Sequence, residues 1–158
     1  MKKKKINWKV LIFSFLAVIV VSLFGALFTG SVKSGWYDSV RPNIAPPNWL
    51  FGPVWAVLYI LIAISLYLAL VNSKKDSRWK VGIVFAVNLI ANGLWSYLFF
   101  GLHQVLFAFS DLILIWATII VMIIYTWKID RKAAYLLIPY FLWVSFAGVL
   151  NYLVYLSV

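Results

Sequence analysis

Five long runs of apolar residues, separated by polar segments, extend along most of the chain. A helix that crosses the hydrocarbon core of a bilayer needs about 20 apolar residues, and each run is close to that length or longer. The runs do not alternate between polar and apolar positions, as the strands of a transmembrane barrel would. The pattern predicts an all-α integral membrane protein in which a single domain, residues 1–158, forms a five-helix transmembrane bundle. The predicted spans are residues 10–28, 54–71, 81–100, 105–127 and 133–158.

The composition agrees with this class and excludes several kinds of chemistry. Hydrophobic residues make up 65% of the chain and charged residues 11%, whereas soluble domains carry about 25% charged residues. The absence of cysteine excludes disulfides, thiol catalysis and thiolate metal sites. With four acidic residues and one histidine, we expect neither a protein-built metal centre nor the residues of a conventional acid–base enzyme.

The basic residues are distributed unevenly between the two sides of the predicted bundle. Twelve of the 14 fall in the N-terminal segment and in the second and fourth connections, which predicts a cytoplasmic N-terminus and an external C-terminus. We expect this charge to contact anionic membrane lipids and not nucleic acid. The lysine-rich start and the lack of a recognisable mitochondrial signal indicate a bacterial cell membrane.

The connection between the first two spans, residues 29–53, is longer than the others and has a different composition. It contains four prolines and three glycines, together with Trp36, Tyr37, Trp49 and Phe51. Because prolines restrict the backbone and aromatic rings favour burial, we expect a structured external cap. Pro53 is predicted to begin the second span. The other connections are short, so the helices they join are predicted to be antiparallel neighbours.

Three spans carry polar and aromatic residues at helical spacing. Asparagine is costly to expose to lipid, so these stripes face protein or a cavity. Either they join helices through polar contacts, or they form the walls of a pocket for a flat, mostly apolar ligand. The stripes are Trp55, Tyr59, Ile62 and Leu66 in the second span, Asn88, Asn92, Trp95, Ser96 and Phe99 in the third, and Tyr140, Trp143, Ala147, Leu150 and Asn151 in the fifth.

Asp111 is the only charged residue within the five runs. A carboxylate inside a membrane usually has a partner or a function. Two interpretations remain open: Asp111 bridges to an Asn or indole N–H on a neighbouring helix, or it takes part in proton chemistry. We predict that Asn88, Asp111 and Asn151 are structural polar groups in the membrane. Pro139, inside the fifth span, is expected to kink that helix, and His103 is expected at the surface.

Several motifs, in order and at consistent spacing, extend over nearly the whole chain. They are WYDSVRP, PPNWLFGPVWAVLY at residues 46–59, NGLWSYLFFG at 92–101, SDLIL around Asp111 and PYFLWVSFAGVLNY at 139–152. In these stretches the sequence resembles the translocator protein family, also called tryptophan-rich sensory proteins, TspO, or peripheral-type benzodiazepine receptors.

The resemblance implies a five-helix bundle, usually a homodimer, that binds porphyrins such as protoporphyrin IX and isoquinoline or benzodiazepine ligands beneath the first loop. A tetrapyrrole would be its ligand, with no covalent cofactor and no metal ligated by the protein. The family's C-terminal sterol motif requires a basic residue after a tyrosine. None follows Tyr152 or Tyr155, which argues against cholesterol as a partner. The ligand positions carried over from the family are Tyr37, Trp55, Tyr59, Asn92, Trp95, Ser96, Trp143, Ala147 and Leu150.

The first functional hypothesis is therefore a membrane receptor or sensor for tetrapyrroles, without catalytic residues. An alternative is light-dependent porphyrin degradation, ascribed to some bacterial members, with Trp55 and Trp143 as redox partners of the excited ligand. A third is a transporter of porphyrin or lipid. The chain shows no inverted repeat of the kind on which many transporters are built.

Overall fold

The structure is a computed structural model, and it describes residues 6–29 and 35–158. All regular secondary structure in this part of the chain is helical. A 3₁₀ turn, Lys75–Ser77, precedes the fourth helix, and a π-helical turn, Tyr97–Gly101, follows it directly. The helices are α1 (Trp8–Thr29), α2 (Trp36–Val40), α3 (Asn48–Asn72), α4 (Arg78–Ser96), α5 (Val105–Trp127) and α6 (Arg131–Tyr155).

Among the described residues, five segments are long and apolar enough to cross a membrane, which confirms the predicted five-span class. They are α1, α3, α5, α6 and the segment Lys75–Gly101, which includes α4 and the two turns that flank it. The helix ends differ from the predicted spans by a few residues. The largest difference is at the start of α3, which begins six residues earlier than predicted. The end of α4 is four residues earlier than predicted, because the π-helical turn takes over there, and α6 stops three residues earlier.

The prediction that Pro53 begins its helix is wrong. The N-cap of α3 is Pro47, and Pro53 lies inside the helix. Pro47 holds an extended backbone with ψ of 141°, so the chain can enter the helix only after it. Since a proline has no N–H, Pro53 also leaves the carbonyl of Trp49 without its usual helical donor. Pro139 lies inside α6, as predicted, and its kink stays a prediction.

The five long helices form a closed ring in the order α1, α3, α6, α5, α4. The predicted side-by-side packing holds for α4 with α5 and for α5 with α6. The third predicted pair, α3 with α4, makes a smaller contact than the other two pairs, because α1 packs against both of these helices. The half of the ring remote from α2 is filled by close-packed side chains. Among them are Ile62, Phe85, Ile119, Met122 and Leu137, all almost completely buried.

The predicted external cap is structured over residues 35–47. Gly35 has a φ of +81°, a conformation that glycine adopts without strain, and it leads into α2. Tyr37 is 5% exposed, while Arg41 donates hydrogen bonds of 3.0 Å to the carbonyls of Ala45 and Pro46. The prediction that the cap aromatics are buried is wrong for Trp49, which is 72% exposed. This residue also lies on α3, in a stretch that was predicted to be part of the loop. Residues 30–34, and the lysines at positions 2–5 used to predict orientation, lie outside the described residues.

Candidate ligand-binding cavity

A cavity of about 450 Å³ lies inside the helical ring, beneath α2. Its walls come from α1, α2, α3, α4, the π-helical turn and α6, and among the described residues α5 contributes none. All the ligand positions inferred from the family resemblance lie on these walls, although their contact with a ligand stays a prediction. They are Tyr37, Trp55, Tyr59, Asn92, Trp95, Ser96, Trp143, Ala147 and Leu150.

Aromatic rings form much of the cavity wall. Trp95 stacks on Phe99, with ring centroids 5.0 Å apart and 15° between the ring planes. Trp143 meets Phe51 edge to face at 5.8 Å. The π-helical turn has an extra residue compared with an α-helical turn, and the adjacent Phe99 and Phe100 both line the cavity. These rings offer faces and edges to a flat apolar molecule.

A chain of hydrogen bonds closes the inner end of the cavity. Tyr59 Oη donates to Asn92 Oδ1 at 2.8 Å, and Asn92 Nδ2 donates to Tyr140 Oη at 3.1 Å. Tyr140 Oη in turn donates to Asn88 Oδ1 at 3.1 Å, while Asn88 Nδ2 donates to Thr118 Oγ1 at 2.8 Å. The chain links α3, α4, α6 and α5. The stripes thus serve both roles, since Asn88 and Tyr140 join helices and Tyr59 and Asn92 also face the cavity.

Asn151 ties a second part of the wall together. Trp95 Nε1 donates to Asn151 Oδ1 at 3.0 Å, and Asn151 Nδ2 donates to the carbonyl of Val105 at 3.1 Å. The predicted structural role of Asn151 is consistent with these bonds. Asn151 also lines the cavity, which is the second of the two roles left open for its stripe.

Two polar atoms on cavity-lining residues have no hydrogen-bond partner among the described residues. They are Trp143 Nε1, a donor, and Asn48 Oδ1, an acceptor, and both are buried. Asn48 uses its amide nitrogen to donate to Asp38 Oδ1 at 2.9 Å. Both atoms lie below the accessible surface of the cavity wall, so a ligand would reach them only if the side chains turned.

Tyr37 adds a phenol to the roof of the cavity. Burial raises the pKa of Tyr37 above its ordinary value of 10.0, an effect that the neighbouring Arg41 opposes and Asp38 reinforces. The phenol is therefore neutral at physiological pH.

Asp111 stands apart from this cavity. Its Oδ2 is buried and, within the described part of the chain, has no hydrogen-bond partner. Of the two interpretations left open, the bridge to an Asn or indole N–H is absent at this oxygen within the described residues. Trp116 Nε1 donates to Ser145 Oγ at 2.9 Å, and Asn151 Nδ2 donates to Val105.

The contribution of α1 to the cavity was missed by sequence reasoning. Its lining residues are small and follow at helical spacing: Ser22, Gly25, Ala26 and Thr29. This spacing was the available signal, but small residues inside a lipid-facing helix carry little chemical information by themselves. Asn48, Phe51, Gly52 and Ala56 were missed for another reason, since they lie where the predicted loop meets the predicted span.

The cavity reaches the surface on the side between α1 and α3. Ala26 of α1 and both Gly52 and Ala56 of α3 line the cavity and are also exposed. An added Cβ on Gly52 would meet no atom within 4 Å. Both helices are long and apolar enough to cross a membrane.

Comparisons with known proteins agree with the fold and identify the family. The sequence model of the TspO/MBR family matches residues 13–156. Tryptophan-rich protein TspO of Archaeoglobus fulgidus is 43% identical over 92% of this chain and 95% of its own length. Protein CrtK of Rhodobacter capsulatus is 34% identical over 89% and 88%, and Translocator protein of Bos taurus is 33% identical over 81% and 78%. The chain therefore belongs to the TspO/MBR family and is a multi-pass membrane protein.

Proposed function

We propose that this member of the TspO/MBR family is a membrane receptor that binds a tetrapyrrole such as protoporphyrin IX, or an isoquinoline or benzodiazepine ligand, in the cavity beneath α2. The observation that carries the proposal is the convergence of Trp55, Trp95 and Trp143 on one cavity of about 450 Å³. Ligand pockets in proteins have volumes of about 300–1,000 Å³ and are mostly apolar, with a few polar groups that orient the ligand.

The cavity suits a planar ligand for two reasons. The indole of Trp95 is stacked on Phe99, so its ring is held in one orientation and is further fixed by its hydrogen bond to Asn151. The ring of Trp143 also lines the wall, and its edge-to-face contact with Phe51 at 5.8 Å holds it in place. Stacking and edge contacts of this kind contribute about 0.5–1.5 kcal/mol per ring pair beyond the burial of apolar area.

The experiment is a titration of the purified protein with protoporphyrin IX, followed by tryptophan fluorescence and by porphyrin absorbance. The test variant is Trp55→Phe combined with Trp143→Phe. The matched control is Trp116→Phe, because Trp116 lies on α5, outside the cavity. We expect at least about tenfold weaker binding in the double variant and wild-type affinity in the control. Unchanged affinity in the double variant would refute the assignment of the ligand to this cavity.

Orientation and assembly are part of the proposal. We propose a bacterial cell membrane, a cytoplasmic N-terminus, anionic lipid around the basic end and a homodimer. The support is the position of Lys74, Lys75 and Arg78 at the end of the bundle remote from α2, together with the positive-inside rule. Because the chain has no cysteine, a membrane-impermeant thiol reagent should label Ser39→Cys and not Lys75→Cys in intact cells. Cross-linking in membranes tests the dimer.

Light-driven oxidation of the bound porphyrin is a second candidate, favoured by the rings around Trp55. The centroid of its indole ring lies 5.3 Å from that of Tyr59 and 6.2 Å from that of Tyr140. An excited porphyrin would take an electron from Trp55 and pass it to dioxygen, which gives superoxide. The indole radical, shared with these phenols, would then take an electron from the porphyrin ring, which regenerates Trp55. The porphyrin radical cation would combine with superoxide, so that dioxygen is the oxidant and the porphyrin is oxidised. Illuminated turnover that continues in the Trp55→Phe, Trp143→Phe variant would exclude this mechanism.

A further inference from the structure

Arg131, the first residue of α6, is exposed and makes no ion pair or side-chain hydrogen bond within the described residues. Its guanidinium carbon lies 5.4 Å from the centre of the Trp127 ring, a distance typical of a cation–π contact. The neighbouring carboxylate of Asp130 is used elsewhere. It accepts from the backbone N–H of Lys132 at 2.8 Å and from Asn72 Nδ2 at 2.7 Å. The side-chain N–H donors of Arg131 therefore face the surroundings of the protein.

The aromatic residues around Arg131 are of the kind that lie at the level of lipid headgroups. Trp127 meets Tyr135 edge to face at 5.3 Å, and both side chains are exposed. Indole and phenol rings are enriched at this level of a membrane protein. The hydrogen bond between Asn72 and Asp130 joins the end of α3 to the start of α6, so Arg131 belongs to the basic end of the bundle. The anion that it meets in a membrane is a headgroup phosphate.

An apolar groove of about 590 Å³ continues from this position along the same face of α6. Tyr135, Pro139, Leu142 and Phe146 follow Arg131 at steps of three or four residues, so they lie on one side of the helix. The last three of them line the groove, and α3 forms its opposite wall. No lining residue is charged; they are Pro53, Val54, Val57, Leu58, Pro139, Leu142, Trp143 and Phe146.

The length of this face matches one leaflet of a bilayer. A helix rises about 1.5 Å per residue, so the eleven residues from Tyr135 to Phe146 span about 16 Å. Half of the hydrocarbon core of a bilayer is about 15 Å thick. An acyl chain that starts beside Tyr135 therefore reaches the far end of the groove.

We propose that this surface binds one anionic phospholipid, with its phosphate on Arg131 and one acyl chain in the groove between α3 and α6. The inference deepens the contact with anionic lipid proposed above and does not depend on what the ligand cavity holds. Arginine and phosphate form strong charge-assisted hydrogen bonds. Because lipid tails are as apolar as the groove, the headgroup provides most of the specificity and the groove determines where the lipid lies.

The test measures the affinity of the first bound lipid by native mass spectrometry of the purified protein in detergent. The lipids are phosphatidylglycerol and phosphatidylcholine with identical acyl chains. The headgroup variant is Arg131→Gln. Its matched control is Arg78→Gln, because Arg78 is also an exposed arginine at the first position of its helix and at the same end of the bundle.

We expect Arg131→Gln to weaken phosphatidylglycerol about fivefold more than Arg78→Gln does, and to reduce the preference over phosphatidylcholine. The two variants lose the same charge, so their difference removes the general attraction of a basic surface for anionic lipid. Equal losses in the two variants would overturn the inference, since the lipid would then respond only to the net charge of this end.

The acyl chain is tested by filling the groove. Val57 lines it and is 57% exposed, whereas Ile60 is 50% exposed on the same helix and lies outside it. Val57→Trp should weaken both lipids several-fold, and Ile60→Trp should weaken neither. Equal affinities in these two variants would place the chain elsewhere and overturn the inference.

A last arm distinguishes a lipid from a free phosphate. Glycerol 3-phosphate carries the anion without a chain, and we expect it not to displace phosphatidylglycerol at equal concentration. Displacement would show a site for small phosphates and would contradict the proposal. All of these outcomes are independent of the protoporphyrin titration and of the cysteine labelling, so failure here leaves the proposed receptor function and orientation intact.

Discussion

The indole of Trp36 stacks on the imidazole of His103, with ring centroids 4.1 Å apart and 14° between the planes. Trp36 belongs to α2, whereas His103 lies at the surface in the turn between the π-helical turn and α5, as the sequence predicted. Trp36 also contacts Phe99 edge to face at 5.5 Å, and Phe99 stacks on Trp95 in the cavity wall. The cap is thus connected to the ligand cavity through a continuous series of ring contacts.

Replacement of His103 with alanine should loosen the cap. The stack with Trp36 is lost, and pairs of this kind contribute about 0.5–1.5 kcal/mol. We expect hydrogen exchange in residues 35–47 to become several-fold faster and bound ligand to dissociate faster. The control is Gln104→Ala, since Gln104 is the exposed neighbour of His103. Equal exchange rates in His103→Ala and the wild-type protein would show that the stack does not hold the cap.

Replacement of Tyr140 with phenylalanine should destabilise the bundle. Tyr140 Oη accepts from Asn92 Nδ2 and donates to Asn88 Oδ1, so its removal leaves two buried amide groups unpaired. An unpaired buried polar group costs about 1–3 kcal/mol. Since hydrogen bonds between membrane helices average only about 0.6 kcal/mol, we expect the free energy of unfolding to fall by an amount near the lower end of this range. Unfolding in a denaturing detergent measures it. Tyr135→Phe is the control, because Tyr135 is an exposed tyrosine of the same helix; equal losses in the two variants would argue against the network.

Replacement of Asp111 with asparagine should leave ligand affinity unchanged and should not lower stability. The residue does not line the cavity, and its Oδ2 has no hydrogen-bond partner among the described residues. A buried carboxylate without a partner opposes folding, so its neutral isostere removes a cost. A fall in the unfolding temperature or in protoporphyrin affinity of Asp111→Asn would show that the carboxylate has a role that this structure does not reveal.

A large side chain at Gly52 should slow ligand entry. Gly52 lies at the exposed edge of the cavity between α1 and α3, and an added side chain would meet open space. Gly52→Leu is therefore expected to narrow the opening and to reduce the association rate measured in lipid vesicles. Gly82→Leu is a matched control, since Gly82 is also a helical glycine with open space around it and lies outside the cavity. Equal association rates in the two variants would place the entry route elsewhere.

The sequence predicted those features that follow from apolar length and helical spacing. The five spans and the stripes through Asn92, Trp95 and Trp143 are of this kind, because a lipid environment restricts polar groups to one side of a helix. The early start of α3 was not predictable from hydropathy, since Asn48 and the residues before Pro53 belong to a proline-rich stretch that is typical of a loop. The hydrogen-bond partner of Asn48 could not be predicted for a different reason. Its contact with Asp38 depends on how the cap folds back over the bundle.

The central claim, that the cavity beneath α2 holds the ligand, is tested most directly by filling the cavity. Ala147 lines its wall on α6, whereas Ala117 is exposed on α5. Equilibrium titration with protoporphyrin IX should show loss of binding in Ala147→Trp and wild-type affinity in Ala117→Trp, provided that both variants unfold at the wild-type temperature. Wild-type affinity in a folded Ala147→Trp variant would contradict the claim, because the ligand would then bind outside this cavity.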